Sequence, residues 1–245
     1  SLINPKKECD YDKFDYFSAS TLTYFFLDFF IMYKKLNFSF SDNLFYVLLS
    51  IISDVMPLRK INRDIAIKVL KNFDINKNFF IKKIFEIKKI KKPLEIDDLA
   101  FLITPILNSA GRIGNPLKVV HLLTGNNLIT NEKIIKELIF LNEKRKVIEN
   151  DILSKIDLNN MAKKNEKVLV IHEKYFHEGL IGIIAAKLKE YFGKPCIVLT
   201  KSNKVYKASG RSTLDFNIGL YVKKAIDLGI IINGGGHNLA AGFTI

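Results

Sequence analysis

Cysteine is nearly absent from this sequence, with Cys9 and Cys196 the only two. They stand far apart and match no metal-binding or redox spacing, which leaves reduced thiols in a cytoplasmic protein as the expectation. Long apolar runs are also missing. The most apolar stretches, Tyr24 to Tyr33 and Leu44 to Ile52, fall short of the roughly 18 to 20 residues that a membrane span needs, and Asp28 interrupts the first. Both predict buried helices. No secretory signal, internal repeat or extended low-complexity segment stands out. Acidic residues are scarce as well: 25 Asp and Glu face 38 Lys and Arg, for a formal net charge of +13. Such a surface attracts polyanions, most commonly nucleic acid. The chain is also rich in Lys, Ile, Asn and Phe, the signature of an AT-rich genome, which halves the weight of the charge argument.

What is present fits a folded protein. Hydrophobic residues make up 48% of the 245 and charged residues 26%, enough for one large domain or two small ones. Ser1 opens a strand-like SLINP and Ile245 closes inside an apolar run, so a piece of a longer protein is expected. Residues 18–70 read as apolar helices around the loop SDVMPLRKINRD (Ser53 to Asp64). Next comes a helix whose Lys82, Lys83, Glu86 and Lys89 face away from Ile81, Ile84 and Phe85. From Glu132 to Ile156, Ile134, Leu138, Leu141, Ile148 and Ile152 predict a long amphipathic helix, with Thr130 and Asn131 as candidate caps and LNNMAKKNEK as a linker. Beyond a boundary near residue 164, KVLVIHE, PCIVLT and VYKASGRS read as strands, and GLIGIIAAKLKEYFG and NIGLYVKKAI as helices, the first closed by Gly193. This is the pattern of a small α/β domain.

Three stretches of small residues carry candidate chemistry. In GGGHNLAAGF (Gly234 to Phe243) glycines allow positive φ and bring backbone N–H groups close to a ligand, as in phosphate-holding loops, with His237 at the lip. The alternative is a tight turn into a final strand. NSAGR (Asn108 to Arg112) reads as a second loop, whose arginine fork suits a phosphate. ASGRS (Ala208 to Ser212) repeats the combination. Together they suggest a divided anion site. His177 and Glu178 open a helix whose Gly182, Ala185 and Ala186 admit a close neighbour; His177 caps that helix or touches substrate. Asp54 by itself reads as a turn residue. CDYDKFD (Cys9 to Asp15) lacks the glycine and terminal glutamate of a calcium loop, and His121 and His172 read as core or edge histidines.

In order, INPKKECDY, SDVMPLRKINR, ITPILNSAGRIGNP, LNEKRKVIENDIL, HEGLIGIIAAKLKEYFGKPCIVLT, KASGRS and GGGHNLAAGF resemble the RecJ single-strand-specific exonucleases of the DHH phosphoesterase superfamily. The resemblance runs over essentially the whole chain. The last motif alone is shared with small-nucleotide phosphoesterases and with the C-terminal region of alanyl-tRNA synthetases. The resemblance implies an α/β fold: the helical remainder of a DHH phosphoesterase domain over residues 1–130, a long connecting helix and linker over 131–164, and a DHH-associated substrate-binding domain over 165–245.

It further implies 5′→3′ hydrolysis of single-stranded DNA in repair and recombination, with two divalent ions, manganese or magnesium, activating water. Asp54 matches the family's late metal-binding aspartate. Arg112, Ser209 and Arg211 match a phosphate grip near the 5′ end, Asn108, Gly234, Gly235 and Gly236 join them as phosphate- or DNA-binding residues, and His237 matches the histidine that faces the catalytic centre. No Asp-His-His occurs, and no Asp-x-Asp followed by the family's glycine, so this chain by itself is expected to be inactive. A non-catalytic strand-binding module and a small-nucleotide phosphoesterase are the alternatives. The family further suggests a monomer, no membrane, and a single-strand binding protein or a helicase as partner.

Overall fold

A computed structural model describes residues 14–158 and 166–245. Cys9, INPKKECDY, most of CDYDKFD and residues 159–165 of the linker, with the boundary near 164, lie outside the described residues. The chain divides into two compact units, one made of residues up to Asn108 with Leu117–Glu137, the other of Ser109–Pro116 with Leu138–Ile245.

In the first unit, helix α1 (Ala19–Tyr33) starts at Ser18, whose hydroxyl accepts from the Thr21 amide at 3.2 Å. The expected burial of this apolar run is not observed: Thr21 is its buried residue, while Phe29, Met32 and Tyr33 are more than 60% exposed. A helix that is apolar all round can turn only one side to its neighbour, here α2 (Leu44–Ser53). The α2 run does bury as expected, through Leu44, Phe45, Val47, Leu48, Leu49 and Ile51.

The α2 helix ends in a Schellman turn. The Val55 amide donates to Ile52 and the Met56 amide to Ile51, with Val55 at φ 53° where glycine is the usual residue. The loop after it is shorter than the sequence suggests, because α3 (Lys60–Asn72) begins at Lys60. Buried Asn62 pins that loop by donating to the Tyr16 carbonyl at 2.7 Å and the Pro57 carbonyl at 3.0 Å. Helix α4 (Phe79–Lys88) is capped by Asn78, and its lysine face is not merely solvated, since Lys83 pairs with Glu86 and Glu132 at 3.5 and 3.2 Å. Helix α5 (Ile96–Asp98) passes through a π-helical stretch (Leu99–Ile103) into α6 (Thr104–Ile113), followed by α7 (Leu117–Thr124). His121 is exposed on α7, one position before buried Leu122 and so rotated about 100° from it.

The long helix, α8 (Leu128–Ser154), starts earlier than the periodicity suggests because Asn127 caps it, accepting from the Thr130 amide at 3.0 Å. Its buried stripe also differs from the apolar one. Ile135, Leu138 and Ile152 are buried together with the polar Asn142 and Glu149.

The second unit holds a five-stranded sheet in the order β1-β2-β3-β5-β4. Its strands are β1 (Leu169–His172), β2 (Cys196–Ser202), β3 (Val205–Arg211), β4 (Asn233–His237) and β5 (Ala240–Thr244). Helix α9 (Ile181–Phe192) leads from β1 to β2, which are parallel, while the remaining pairings are antiparallel. Gly193 closes α9 at φ 63°, as expected. Helix α10 (Ile218–Asp227) leads from β3 to β4. Cross-strand partners point to one face, so the register sorts the side chains. Cys196 and Val198 pack beneath α9, and burial pushes the Cys196 thiol up to about 11. On the other face Ala208, Ala241 and Phe243 pack against Ile218 and Val222 of α10.

Val55 yields a test of the first unit. A β-branched residue in the left-handed region is strained, and Val55 is exposed, so its side chain contributes little packing. Val55→Gly is expected to raise the urea unfolding midpoint, with a gain of about 0.5–1 kcal/mol after the extra chain entropy of glycine is subtracted.

Candidate phosphate-binding site

The α9 face of the sheet is covered over β1 and β2 but open over β5 and β4. Three rows cross this open part. Arg211 lies opposite Ala240, which lies opposite His237; Ser209 lies opposite Gly242 and then Gly235; Lys207 lies opposite Thr244 and then Asn233. The middle row carries no side chain on two of its three strands, so the sheet backbone itself forms a floor. A recess of about 560 Å³ opens here, lined by Arg112, Glu178, Gly179, Gly182, Lys207, Ser209, Arg211, Gly234 and Thr244 among others.

Two glycines bring its walls together. A Cβ on Gly179 would overlap the Arg112 carbonyl oxygen, so the turn before α9 lies directly on the end of α6. Arg112 Nη1 donates back to the Gly179 carbonyl at 3.3 Å. One turn of chain later, a Cβ on Gly182 would stand 3.1 Å from both Arg211 Nη2 and Ser209 Oγ. Arg211 Nη1 is held by Ser209 Oγ at 3.1 Å and by the Gly210 carbonyl at 2.9 Å.

The electrostatics favour an anion. Among the described residues, neither Arg112 nor Arg211 has a carboxylate within 4.0 Å, and both are half-buried. Burial holds both guanidinium groups below their ordinary pKa, and the positive fields of Arg145 and Arg211 lower Arg112 further, against a smaller opposing effect of Glu149. Arg145 is itself satisfied, donating to Glu149 at 2.6 Å and Asn142 at 3.2 Å, and Glu149 also holds Lys187 at 2.5 Å. Two partly desolvated arginines that converge without a counterion form a place where a phosphate can be gripped in bidentate fashion.

Residues 165–245 match the DHHA1 domain family. The chain as a whole is RecJ-like over most of its length. It is 28% identical over 221 residues to the single-stranded-DNA-specific exonuclease RecJ of Haemophilus influenzae, covering 84% of this chain and 38% of that protein. It is 30% identical over 213 residues to RecJ of Salmonella typhimurium, covering 81% and 36%. The crystal structure of Thermus thermophilus RecJ in complex with Mn2+ superposes with a TM-score of 0.70 at 26% identity, over 81% of this chain and 29% of that one. The chain thus spans between 29% and 38% of the length of these relatives.

Within residues 166–245 and the short α6 segment packed on them, the structure gathers Arg112, Ser209, Arg211 and Gly234 at one recess, and places Gly235 and His237 on the same open sheet face. His237 accepts from the Leu239 amide at 3.3 Å and is exposed. Gly236 points to the opposite face. Asn108 and Asp54 belong to the other unit, where Asn108 is exposed on α6 and Asp54 accepts from Ser50 Oγ at 3.2 Å.

NSAGR and GGGH, read as loops, turn out to be regular elements, and the strand expected over VYKASGRS is β3. NSAGR is the end of α6, where its small residues let buried Ser109 donate to the Leu138 carbonyl of α8 at 3.2 Å. ASGRS lies mostly in β3, and GGGH is β4, paired with AAGFT as a hairpin. The positive-φ glycines of the described chain are Gly193 and Gly229, so the triple glycine acts by close approach instead. A Cβ on Gly234 would meet Phe243 Cβ at 2.6 Å, and one on Gly219 of α10 would meet the His237 backbone at 2.9 Å.

His177 does not cap α9, which starts after Leu180; it is exposed in the preceding turn and accepts from the Gly179 amide at 3.1 Å, and Glu178 accepts from Ser202 at 2.8 Å. His172 sits on the edge strand β1 with its ring 4.9 Å from that of Tyr206. Lys207, Thr244 and Glu149 were missed. The signal for Lys207 was the strand alternation in KASGR, which puts Lys207, Ser209 and Arg211 on one face.

The metal centre implied by the family does not fit the donors of this chain alone. Asp54 offers one carboxylate, a divalent ion takes several oxygen or nitrogen ligands, and no three His, Cys, Asp or Glu gather among the described residues. No described helix is long and apolar enough to cross a membrane.

The glycine contacts are testable as a pair. Gly179→Ala forces apart two backbones and is expected to cost about 1–3 kcal/mol in urea unfolding. Gly111→Ala on α6 meets nothing within 4 Å and is expected to stabilise by about 0.5–1 kcal/mol through helix propensity.

Proposed function

We propose that the chain is the C-terminal portion of a RecJ-like 5′→3′ single-stranded-DNA exonuclease, and that its recess holds a phosphate at the 5′ end of the strand. The observation that carries this reading is the convergence of Arg112, Arg211 and Ser209 on one recess without a carboxylate partner. A terminal phosphate brings more charge than an internucleotide phosphate and so gains most from two guanidinium groups.

In this reading residues 1–130 complete a DHH phosphoesterase domain, 131–164 connect, and 165–245 hold substrate. Asp54 contributes one ligand to manganese or magnesium in the intact enzyme, Asn108 is a strand-binding residue of the first unit, and Gly235 and His237 face the strand from the open sheet face with Gly234 and Gly236 beside them in β4. The intact enzyme works in the cytoplasm as a monomer in DNA repair and recombination, alongside a single-strand binding protein or a helicase. By itself the chain holds a strand without cutting it. Similarity to proteins named as single-stranded-DNA-specific exonucleases supports the substrate class.

Equilibrium binding of 5′-phosphorylated and 5′-hydroxyl single strands tests the proposal. Arg211→Ala is expected to weaken the phosphorylated strand tenfold to a hundredfold, roughly 1.5–3 kcal/mol for a charge-assisted bond, and the hydroxyl strand much less. Equal losses on both strands would remove the 5′-end role. Strand cleavage by the chain alone with manganese would overturn its assignment as a holding unit.

A further inference from the structure

We infer that the recess contains a second anion subsite, formed by Lys207 with Thr244 and Asn233, which takes an internucleotide phosphate further along a strand whose first phosphate is held at Arg112 and Arg211. The site thereby selects a strand over a mononucleotide. This rests on the reading of the arginine end as a phosphate grip.

Lys207, Ser209 and Arg211 alternate along β3 and so share the open face, with Lys207 about 13 Å of strand from Arg211. Lys207 is not a waving surface lysine. It is half-buried, and its Nζ donates to Thr244 Oγ1 at 3.0 Å, with Thr244 buried directly across from it on β5. An ammonium group has three donors, and this bond uses one. No carboxylate among the described residues lies within 4.0 Å of it, and Asn233 adds an exposed amide at the far end of the same row. Between this row and the arginine row lies the floor at Gly242 and Gly235, where an added Cβ would meet no atom closer than 3.9 Å. A strand can therefore lie along the recess with one phosphate at each end. A mononucleotide held by its phosphate at the arginines offers Lys207 no second anion.

The test compares Lys207→Met, Arg211→Ala and Lys201→Met in binding a short 5′-phosphorylated thymidylate strand and deoxythymidine 5′-monophosphate. Lys201 is exposed and points to the opposite sheet face, so it reports general electrostatics. Lys207→Met is expected to weaken the strand about tenfold and leave the mononucleotide unchanged, with Lys207→Arg restoring the strand. Arg211→Ala should weaken both ligands. Equal loss on both ligands from Lys207→Met, no loss on the strand, or the same loss from Lys201→Met would overturn the subsite. If Arg211→Ala left both ligands unaffected while Lys207→Met still weakened the strand, the arginine grip would fall and the lysine subsite would stand. Unfolding midpoints of the variants show that each is folded.

Discussion

The close approach of Gly179 to the Arg112 carbonyl places the end of one helix against the turn that starts another, and the site of the second unit depends on it. Arg112 lies 67 residues before the carbonyl that accepts its guanidinium. Without a side chain at Gly179 the two backbones meet, and without one at Gly182 the Arg211 and Ser209 side chains can lie against the first turn of α9. Packed backbones cannot yield as a flexible side chain can, so a methyl group at such a point is felt by everything arranged around it. The glycines of this site therefore act chiefly by the space they leave.

Charge is distributed around the site with a clear division of labour. Glu149, buried in α8, binds Arg145 of its own helix and Lys187 of α9. That carboxylate is fully engaged in tying two helices together, and Arg112 and Arg211 are left facing a recess. A net charge of +13 states only that anions are attracted somewhere. The pairing of Glu149 with other cations decides where the attraction stays uncompensated. Removal of either arginine from water further strengthens its interaction with any anion that enters, because the local dielectric screens it less.

The open sheet face shows how the fold exposes this chemistry. Helix α9 lies over β2 and β3 and buries Leu169 of β1, α10 covers the opposite face over β3, β5 and β4, and the uncovered remainder over β5 and β4 is the part with two glycines in its middle row. Apolar side chains there would have called for another layer of structure. Polar and basic residues stand at both ends instead, over a bare floor, a surface suited in charge and shape to a ligand that is itself charged and extended.

Much of this was legible in the sequence, where local rules suffice. The strands and helices after residue 166 follow from alternation and from Gly193, and the order of motifs carries the RecJ resemblance without any coordinates. The errors came where local composition has two outcomes. Small residues in NSAGR and GGGH looked like loops, yet small residues also mark places where regular elements touch, and only the neighbouring elements distinguish the two. Burial of Asn142 and Glu149 was invisible to apolar periodicity because their partners come from Arg145 and Lys187. The sequence by itself determined the element types of the second unit and the arginines and glycines available for a site. Tertiary structure decided that Arg112, Gly182, Lys207 and Arg211 share one recess, because contact between residues so far apart along the chain depends on packing and strand register, which no local pattern encodes.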